Sequence, residues 1–297
     1  MIKLPFGIEI DNLINDLRSL SWEASDILLY YSKLISNKSS SKEIIKSKLD
    51  GEPVTAADLK VNEHILKGIQ NNYKNVDWGF LSEENNKIEL NNKLSDDKWI
   101  WVIDPLDGTK DFIQGTGNYS MHLALNYQNR PILGVVLIPE KNELWIAYDK
   151  HIWCENRAGD KKNINNSQEK ELRDMTLVTS KNHKNEYLNK LIGKINFKKT
   201  ISMGSIGCKI SSILRGDSDI YISYSSTSGS SPKDWDFAAP EALLEIGGGK
   251  ITDIDNKELT YNKAGFKQSG LIIASNNKSN HEKICIRIKK IIEDNLL

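Results

Sequence analysis

The most informative part of the chain reads Trp99-Ile100-Trp101-Val102-Ile103-Asp104-Pro105-Leu106-Asp107-Gly108-Thr109-Lys110-Asp111-Phe112. Its apolar opening predicts a buried strand that ends at Asp104. Pro105 then turns the chain, and Asp107 follows three positions after Asp104. We expect such a turn to direct both carboxylates and the Leu106 carbonyl into one pocket.

Oxygen donors in this arrangement suit Mg²⁺, which binds a few carboxylates and keeps positions for water and substrate phosphate. Gly108 and Thr109 add backbone N–H groups for an anion, unobstructed at the glycine. A bare D-x-x-D-G string is, however, more often a simple turn whose first aspartate caps a helix. From these residues alone, both interpretations stay open.

The full string Asp104-Pro105-Leu106-Asp107-Gly108-Thr109 resembles the signature of the lithium-sensitive, magnesium-dependent phosphatase superfamily that includes inositol monophosphatase. Leu81-Ser82-Glu83-Glu84 resembles the upstream acidic motif of that family, and Trp235-Asp236-Phe237-Ala238-Ala239-Pro240 resembles its C-terminal W-D motif. Singly, Glu83 is more often a solvated loop charge, and Asp236 more often a helix N-cap. Three motifs in order over more than half the chain favour the family interpretation.

The resemblance implies an α/β (α+β) protein with the layered α/β/α/β fold of the sugar phosphatases and a site for two or three Mg²⁺ ions. Glu83, Asp104 and the Leu106 carbonyl would ligate one ion. Asp107 and Asp236 would ligate a second, with Asp104 bridging. Two cations about 3.5–4 Å apart clamp the attacking and leaving oxygens of an in-line displacement.

Asp58 has two compatible roles. By spacing, it is the N3 carboxylate of a capping box in which Thr55 is the N-cap of a helix. Pro53-Val54-Thr55-Ala56-Ala57-Asp58 also resembles the P-V-T-x-x-D segment of the family. There the aspartate, together with the motif threonine, here Thr109, positions and deprotonates the nucleophilic water.

Lys110 distinguishes the chain from most inositol phosphatases, because Gly-Thr-Lys is typical of the 3′(2′),5′-bisphosphate nucleotidases. These enzymes hydrolyse 3′-phosphoadenosine 5′-phosphate to AMP. Ser180-Lys181-Asn182-His183 resembles their S-x-x-H segment, whose histidine lies by the nucleoside. Met203-Gly204-Ser205-Ile206-Gly207-Cys208-Lys209 resembles their glycine/serine loop, in which the lysine is a candidate to bind the second phosphate. The resemblance thus implies substrate contacts by Glu83, Asp107, Gly108, Thr109, Lys110, His183, Ser205, Lys209 and Asp236. The alternative interpretation makes the histidine an exposed surface residue and the lysine a solvated residue at a helix start.

Apolar spacing predicts one helix over residues 13–35 and another from Thr55 to about Ile69. Residues 36–48, rich in serine and lysine, are predicted as a loop, and four antiparallel strands are expected between residues 121 and 154. The polar stretch 156–174 is the best boundary in the chain. We therefore expect an N-terminal α+β domain, residues 1–170, that carries most metal ligands. A βα-layered domain, residues 171–297, would carry Asp236 and the nucleoside-side contacts.

The amino-acid composition limits the classes of binding partner that we expect. Forty basic residues balance forty acidic ones among 297, so the net charge of zero provides no general attraction to nucleic acid or an anionic membrane. No apolar run approaches the eighteen or so residues that suggest a membrane-spanning helix. The three cysteines are far apart and form no C-x-x-C pair, which favours a reducing cytoplasm. We expect a small-molecule bisphosphorylated nucleotide as the partner, no nucleic acid and no membrane span.

Two alternative functions remain open on the sequence. The nearest is an inositol monophosphatase, or a broad sugar phosphatase with the same site. The other is an RNA- or transcription-complex-binding protein, since one relative of inositol monophosphatase acts with RNA polymerase. The zero net charge and the complete set of carboxylates argue against this second alternative. A homodimer is also left open.

Overall fold

The computed structural model describes residues 4–5, 7–37, 45–47, 53–84, 98–162, 164, 169–181, 186–226 and 231–295. The described helices are α1 (Ile10–Ser36), α2 (Ala56–Asn72), α3 (Thr109–Ile113), α4 (Glu186–Ile195), α5 (Ile206–Arg215), α6 (Asp234–Ile246) and α7 (Lys278–Asn295). The described strands are β1 (Ile45–Ser47), β2 (Pro53–Thr55), β3 (Gly79–Ser82), β4 (Trp99–Asp107), β5 (Ser120–Tyr127), β6 (Arg130–Ile138), β7 (Glu143–Tyr148), β8 (His151–Glu155), β9 (Lys161–Lys162), β10 (Thr176–Ser180), β11 (Lys199–Met203), β12 (Ile220–Ser225), β13 (Lys250–Asp253) and β14 (Gly270–Ser275).

The first large sheet has the strand order β3-β4-β5-β6-β7-β8-β9, and it is antiparallel except for the parallel pair β3–β4. Helices cover both of its faces. Trp101 and Ile103 on β4 pack in the core cluster that includes α1 and α2, whereas Ile100 and Val102 pack in the cluster that includes α5 and α6. A strand buried on both faces reads as a continuous apolar run, which explains the sequence before Asp104.

The second large sheet has the order β11-β10-β12-β14-β13, with β10 parallel to β11 and β12 and the remaining pairs antiparallel. The helices α5 and α6 lie between the two sheets, as the cluster containing Trp145, Ile210, Leu243 and Tyr221 shows. On the outer face, α4 and α7 pack against the sheet in a third cluster. The layered α/β fold expected from the resemblance is therefore confirmed, and α4 and α7 add a fifth layer.

The strand predicted to end at Asp104 continues through Pro105 to Asp107, so the predicted turn at Pro105 is wrong and these residues belong to β4. Two further details differ from the expectation or leave it untested. The predicted loop over residues 36–48 contains β1, which pairs with β2 in a small antiparallel sheet just before α2. The large sheets fall on either side of residues 163–175, but the division into domains at residue 170 stays a prediction. Among the described residues, no helix combines the length and the apolar character needed to cross a membrane.

Candidate metal centre

A β-bulge in β4 brings the first two carboxylates to the same side of the strand. Asp104 is paired with His122 of β5, and Asp107 is paired with Ser120, so three steps along β4 match two steps along β5. Side chains alternate along a regular strand, so residues three apart would point to opposite faces. The extra residue removes this alternation and aims both carboxylates at one pocket.

The third carboxylate comes from the first turn of α6. Asp236 accepts a hydrogen bond at Oδ2 from the backbone N of Lys233, 2.6 Å away, which fixes the side chain at the helix start. One oxygen each of Asp104, Asp107 and Asp236 lie within 4.8 Å of one another. The structure therefore brings together three of the four carboxylates predicted from the motifs.

Glu83 lies beside this group, directly after β3, and its backbone N donates to the Ile103 carbonyl of β4. Burial raises the pKa of Asp104 well above its usual range. The negative charges of Glu83, Asp107 and Asp236, and a hydrogen bond with Glu83, raise it further. Because like charges this close cannot all be ionised at low cost, the cluster favours a bound cation.

The carboxylate of Asp107 is held by the N-terminus of α5. The backbone N atoms of Ile206 and Gly207 both donate to its Oδ2, the latter over 3.2 Å. Nε2 of His122 lies 3.3 Å from the same oxygen. Burial lowers the pKa of His122, which favours the neutral imidazole. The helix N–H groups therefore compensate part of the charge on Asp107.

Asp58 forms the predicted capping box. Its Oδ2 accepts hydrogen bonds from the backbone N of Thr55 over 2.8 Å and from Oγ1 of Thr55 over 2.6 Å. Burial raises the pKa of Asp58 to about 7; the Thr55 side chain opposes this shift, and the charge of Glu83 adds to it. A carboxylate with this pKa can accept a proton near neutral pH.

The turn after Asp107 has a conformation that requires glycine. Gly108 has φ +88°, and a Cβ there would lie 3.0 Å from the carbonyl of Asn118 and 3.2 Å from the backbone N of Ser205. Thr109 follows, and its hydroxyl donates to the Leu106 carbonyl over 3.1 Å. Lys110 is exposed to solvent.

Of the residues predicted to contact the nucleoside or the second phosphate, Ser205 and Lys209 are buried. Ser205 is fully buried and caps α5, with Oγ accepting from the Cys208 backbone N over 3.0 Å. Lys209 is also buried, and its ammonium donates to the Gly204 carbonyl over 2.6 Å. Burial lowers the pKa of Lys209, whereas the charge of Asp107 opposes that shift. The solvated position considered for Lys209 is therefore wrong, and the substrate contacts of both residues stay predictions. His183 lies outside the described residues.

Three buried polar groups near the site were not singled out by the motifs. Ser120 and His122 line the strand opposite the two β4 carboxylates. Asp111, four residues after Asp107, is fully buried and accepts from Thr116, and Lys181 lies 3.4 Å away. The only sequence signal for them is that polar residues interrupt otherwise apolar segments.

The donor set fits Mg²⁺. Carboxylate oxygens, with the Leu106 carbonyl at the same bulge, are the hard ligands that this ion prefers. The described cluster contains no cysteine or histidine ligand atom that would favour a softer metal.

The chain belongs to the inositol monophosphatase family, which it matches over residues 9–293. The 3′(2′),5′-bisphosphate nucleotidase CysQ of Buchnera aphidicola (subsp. Acyrthosiphon pisum) is 31% identical, over 76% of this chain and 82% of its own length. The CysQ nucleotidase of Escherichia coli K12 is 31% identical, over 73% of this chain and 82% of its own length. The resemblance to the bisphosphate nucleotidases seen in the sequence is therefore confirmed.

Solved structures show the same fold. The IMPase of Thermotoga maritima has a TM-score of 0.72 and 20% identity, over 95% of this chain and 99% of its own. A structure of SaIMPase-II with bound 2′AMP has a TM-score of 0.69 and 17% identity, over 97% of this chain and 96% of its own. At these identities the likeness concerns the fold alone.

Proposed function

We propose that this protein is a Mg²⁺-dependent phosphomonoesterase that hydrolyses 3′(2′)-phosphoadenosine 5′-phosphate to AMP and phosphate. The observation that carries the proposal is the convergence of Asp104, Asp107 and Asp236 within 4.8 Å. The nucleotidase relatives support the choice of substrate. The carboxylates come from different layers of the fold, so their meeting point is a property of the folded chain.

The proposed metal ligands divide between two Mg²⁺ ions. Glu83, Asp104 and the Leu106 carbonyl would hold one Mg²⁺ ion, and Asp107 and Asp236 would hold a second, with room for two or three ions. Bound Mg²⁺ would lower the pKa of water and neutralise charge on the phosphoryl oxygens. The backbone bonds to Asp107 and Asp236 keep these carboxylates oriented before any ion binds.

Asp58 and Thr109 would prepare the attacking water. The pKa of Asp58, about 7, allows its carboxylate to take a proton at neutral pH. The hydroxyl of Thr109 donates to the Leu106 carbonyl, so its oxygen can accept a hydrogen bond from the water. The two residues together would orient and deprotonate the nucleophile.

The proposed contacts with the substrate are based on the family resemblance. The backbone N–H groups of Gly108 and Thr109 would bind a phosphate, Lys110 would also contact the substrate, and His183 would lie by the nucleoside. Ser205 and Lys209 are proposed for the second phosphate. The Lys209 ammonium donates to the Gly204 carbonyl, and the Ser205 hydroxyl lies 2.6 Å from the Ser120 hydroxyl, so each would have to exchange that bond to contact a phosphate.

The metal mechanism can be tested with Asp107→Asn. The amide keeps one oxygen to accept from the helix N–H groups, so we expect the fold to survive. It lacks the negative charge that a metal needs, so phosphate release from 3′-phosphoadenosine 5′-phosphate should fall by about 10³-fold or more.

Asp219→Asn is the matched control, because Asp219 is a buried carboxylate bound to Thr176 and Lys170 outside the carboxylate cluster. It should retain activity. Full activity of Asp107→Asn, or of the unmodified protein in excess chelator, would reject the mechanism. Inhibition by lithium is expected as well.

We also propose a reducing compartment such as the cytoplasm. Cys154, Cys208 and Cys285 are buried and free, and free cysteines are typical of reducing environments.

A further inference from the structure

A series of buried hydrogen bonds connects α5 to the start of α6. Oγ of Ser205 lies 2.6 Å from Oγ of Ser120, and Oγ of Ser120 lies 2.8 Å from Nε2 of His122. Nδ1 of His122 lies 3.3 Å from the carbonyl oxygen of Trp235. We call Ser205, Ser120 and His122 the hydroxyl–imidazole chain. All three side chains are fully buried.

The partners at the two ends fix the direction of these bonds. A carbonyl can only accept, so Nδ1 of His122 carries the hydrogen that bonds Trp235. Nε2 of the neutral ring then accepts from the Ser120 hydroxyl, and Ser120 accepts from Ser205. Ser205 in turn accepts from the backbone N of Cys208. In this direction each of these groups has a partner, and His122 carries its hydrogen on Nδ1.

The hydroxyl–imidazole chain contacts the elements that carry the candidate metal ligands. Nε2 of His122 lies 3.3 Å from Oδ2 of Asp107, and its other nitrogen bonds the residue immediately before Asp236. The helix α5 also packs tightly on the ring: a Cβ on Gly207 would lie 2.3 Å from Nε2 of His122 and 2.4 Å from Oγ of Ser120. The imidazole therefore cannot shift toward α5.

We propose that His122 is a positioning residue of the metal centre, which sets the separation of Asp107 on β4 and Asp236 on α6. This inference rests on the proposed function. Mg²⁺ demands near-octahedral geometry, so small displacements of its carboxylates weaken binding. Groups that orient metal ligands without touching the ion typically contribute 10- to 100-fold to affinity.

The test measures binding of Mg²⁺ alone to the full chain by isothermal titration calorimetry. His122→Leu removes both hydrogen bonds of the ring and should raise the Kd for Mg²⁺ by about tenfold or more. His122→Asn can place an amide N–H near the position of Nδ1 and should recover part of the loss. Because positioning requires the bond to Trp235, this partial rescue is a result that loss of packing alone does not give.

His281→Leu is the matched control. His281 is also fully buried between two hydroxyls, with Nε2 2.7 Å from Oγ1 of Thr252 and Nδ1 2.8 Å from Oγ of Ser275. It lies on α7, in the outer layer, so its loss should destabilise the protein and leave the Kd for Mg²⁺ unchanged.

An unchanged Kd in His122→Leu, or an equal loss in His281→Leu, would overturn the positioning role. If His122→Leu does not fold, Ser120→Ala decides: a raised Kd supports the role, and an unchanged Kd overturns it. Failure of the unmodified protein to bind Mg²⁺ would reject the proposed metal centre itself. The two failures are therefore distinguishable.

Discussion

His281 should make the stability of this protein sensitive to acid. The ring, on α7, bonds Thr252 of β13 and Ser275 of β14, and it thereby attaches α7 to the second sheet. Burial, together with the positive charge of Lys250, lowers the pKa of His281 to about 4. In the unfolded chain the ring has its ordinary pKa of about 6.5.

The direction and size of the effect follow from these two pKa values. Above pH 6.5 the ring is neutral in both states, and its contribution to stability is complete. Between pH 6.5 and pH 4 the unfolded chain binds a proton that the folded chain excludes, so stability falls with pH. Below pH 4 the loss levels off. The difference of about 2.5 pKa units corresponds to about 3 kcal/mol, or about 5 °C in Tm for a chain of this length.

The assay compares thermal unfolding of the unmodified protein and His281→Asn at pH 7.5 and pH 4.5. The variant has no titrating ring, so its Tm should fall less between these two values, by several degrees. Comparing the two proteins at each pH cancels the titration of all other groups. An equal fall in Tm in both proteins would refute a neutral, buried His281.

Two further substitutions test the region around the metal centre. Lys209→Ala should reduce kcat/KM for 3′-phosphoadenosine 5′-phosphate much more than for 3′-AMP, because a charge-assisted contact to the second phosphate is lost; equal losses would assign Lys209 a structural role. Gly207→Ala places a Cβ 2.3 Å from an imidazole nitrogen of the hydroxyl–imidazole chain, so it should lower Tm. Gly193→Ala is the control: no atom lies within 4 Å of the added Cβ, so Tm should stay unchanged or rise slightly. Equal Tm values for the two glycine variants would contradict this packing.

Much of the fold was accessible from the sequence, because its long elements have strong apolar periodicity. The exceptions have physical reasons. The edge strand β11 begins with the exposed residues Lys199 and Thr200, and an edge strand needs no continuous apolar pattern. The helix α7 buries only a narrow stripe, including Ile284 and Ile288, among many charged residues. That stripe predicts a packed helix only when the outer face of the second sheet is known to be apolar and to require a covering element.

The candidate site was predicted in part. The sequence motifs predicted Asp104, Asp107 and Asp236 as metal ligands, and these three carboxylates lie close together in the structure. The bulge that aligns the first two could not be read from alternation, which predicts opposite faces. The hydroxyl–imidazole chain could not be predicted from the sequence either, because His122 is 113 residues from its carbonyl partner and Ser120 is 85 residues from Ser205. Contacts over such separations are determined by topology and leave no local pattern.

The most direct test of the proposed function measures phosphate release from 3′-phosphoadenosine 5′-phosphate and from myo-inositol 1-phosphate, each with Mg²⁺ and with excess chelator. Our proposal predicts a higher kcat/KM for the nucleotide and no release from either substrate in chelator. Better turnover of the inositol phosphate would contradict the nucleotidase assignment and leave a metal-dependent phosphatase. Undiminished release in chelator would contradict the metal centre.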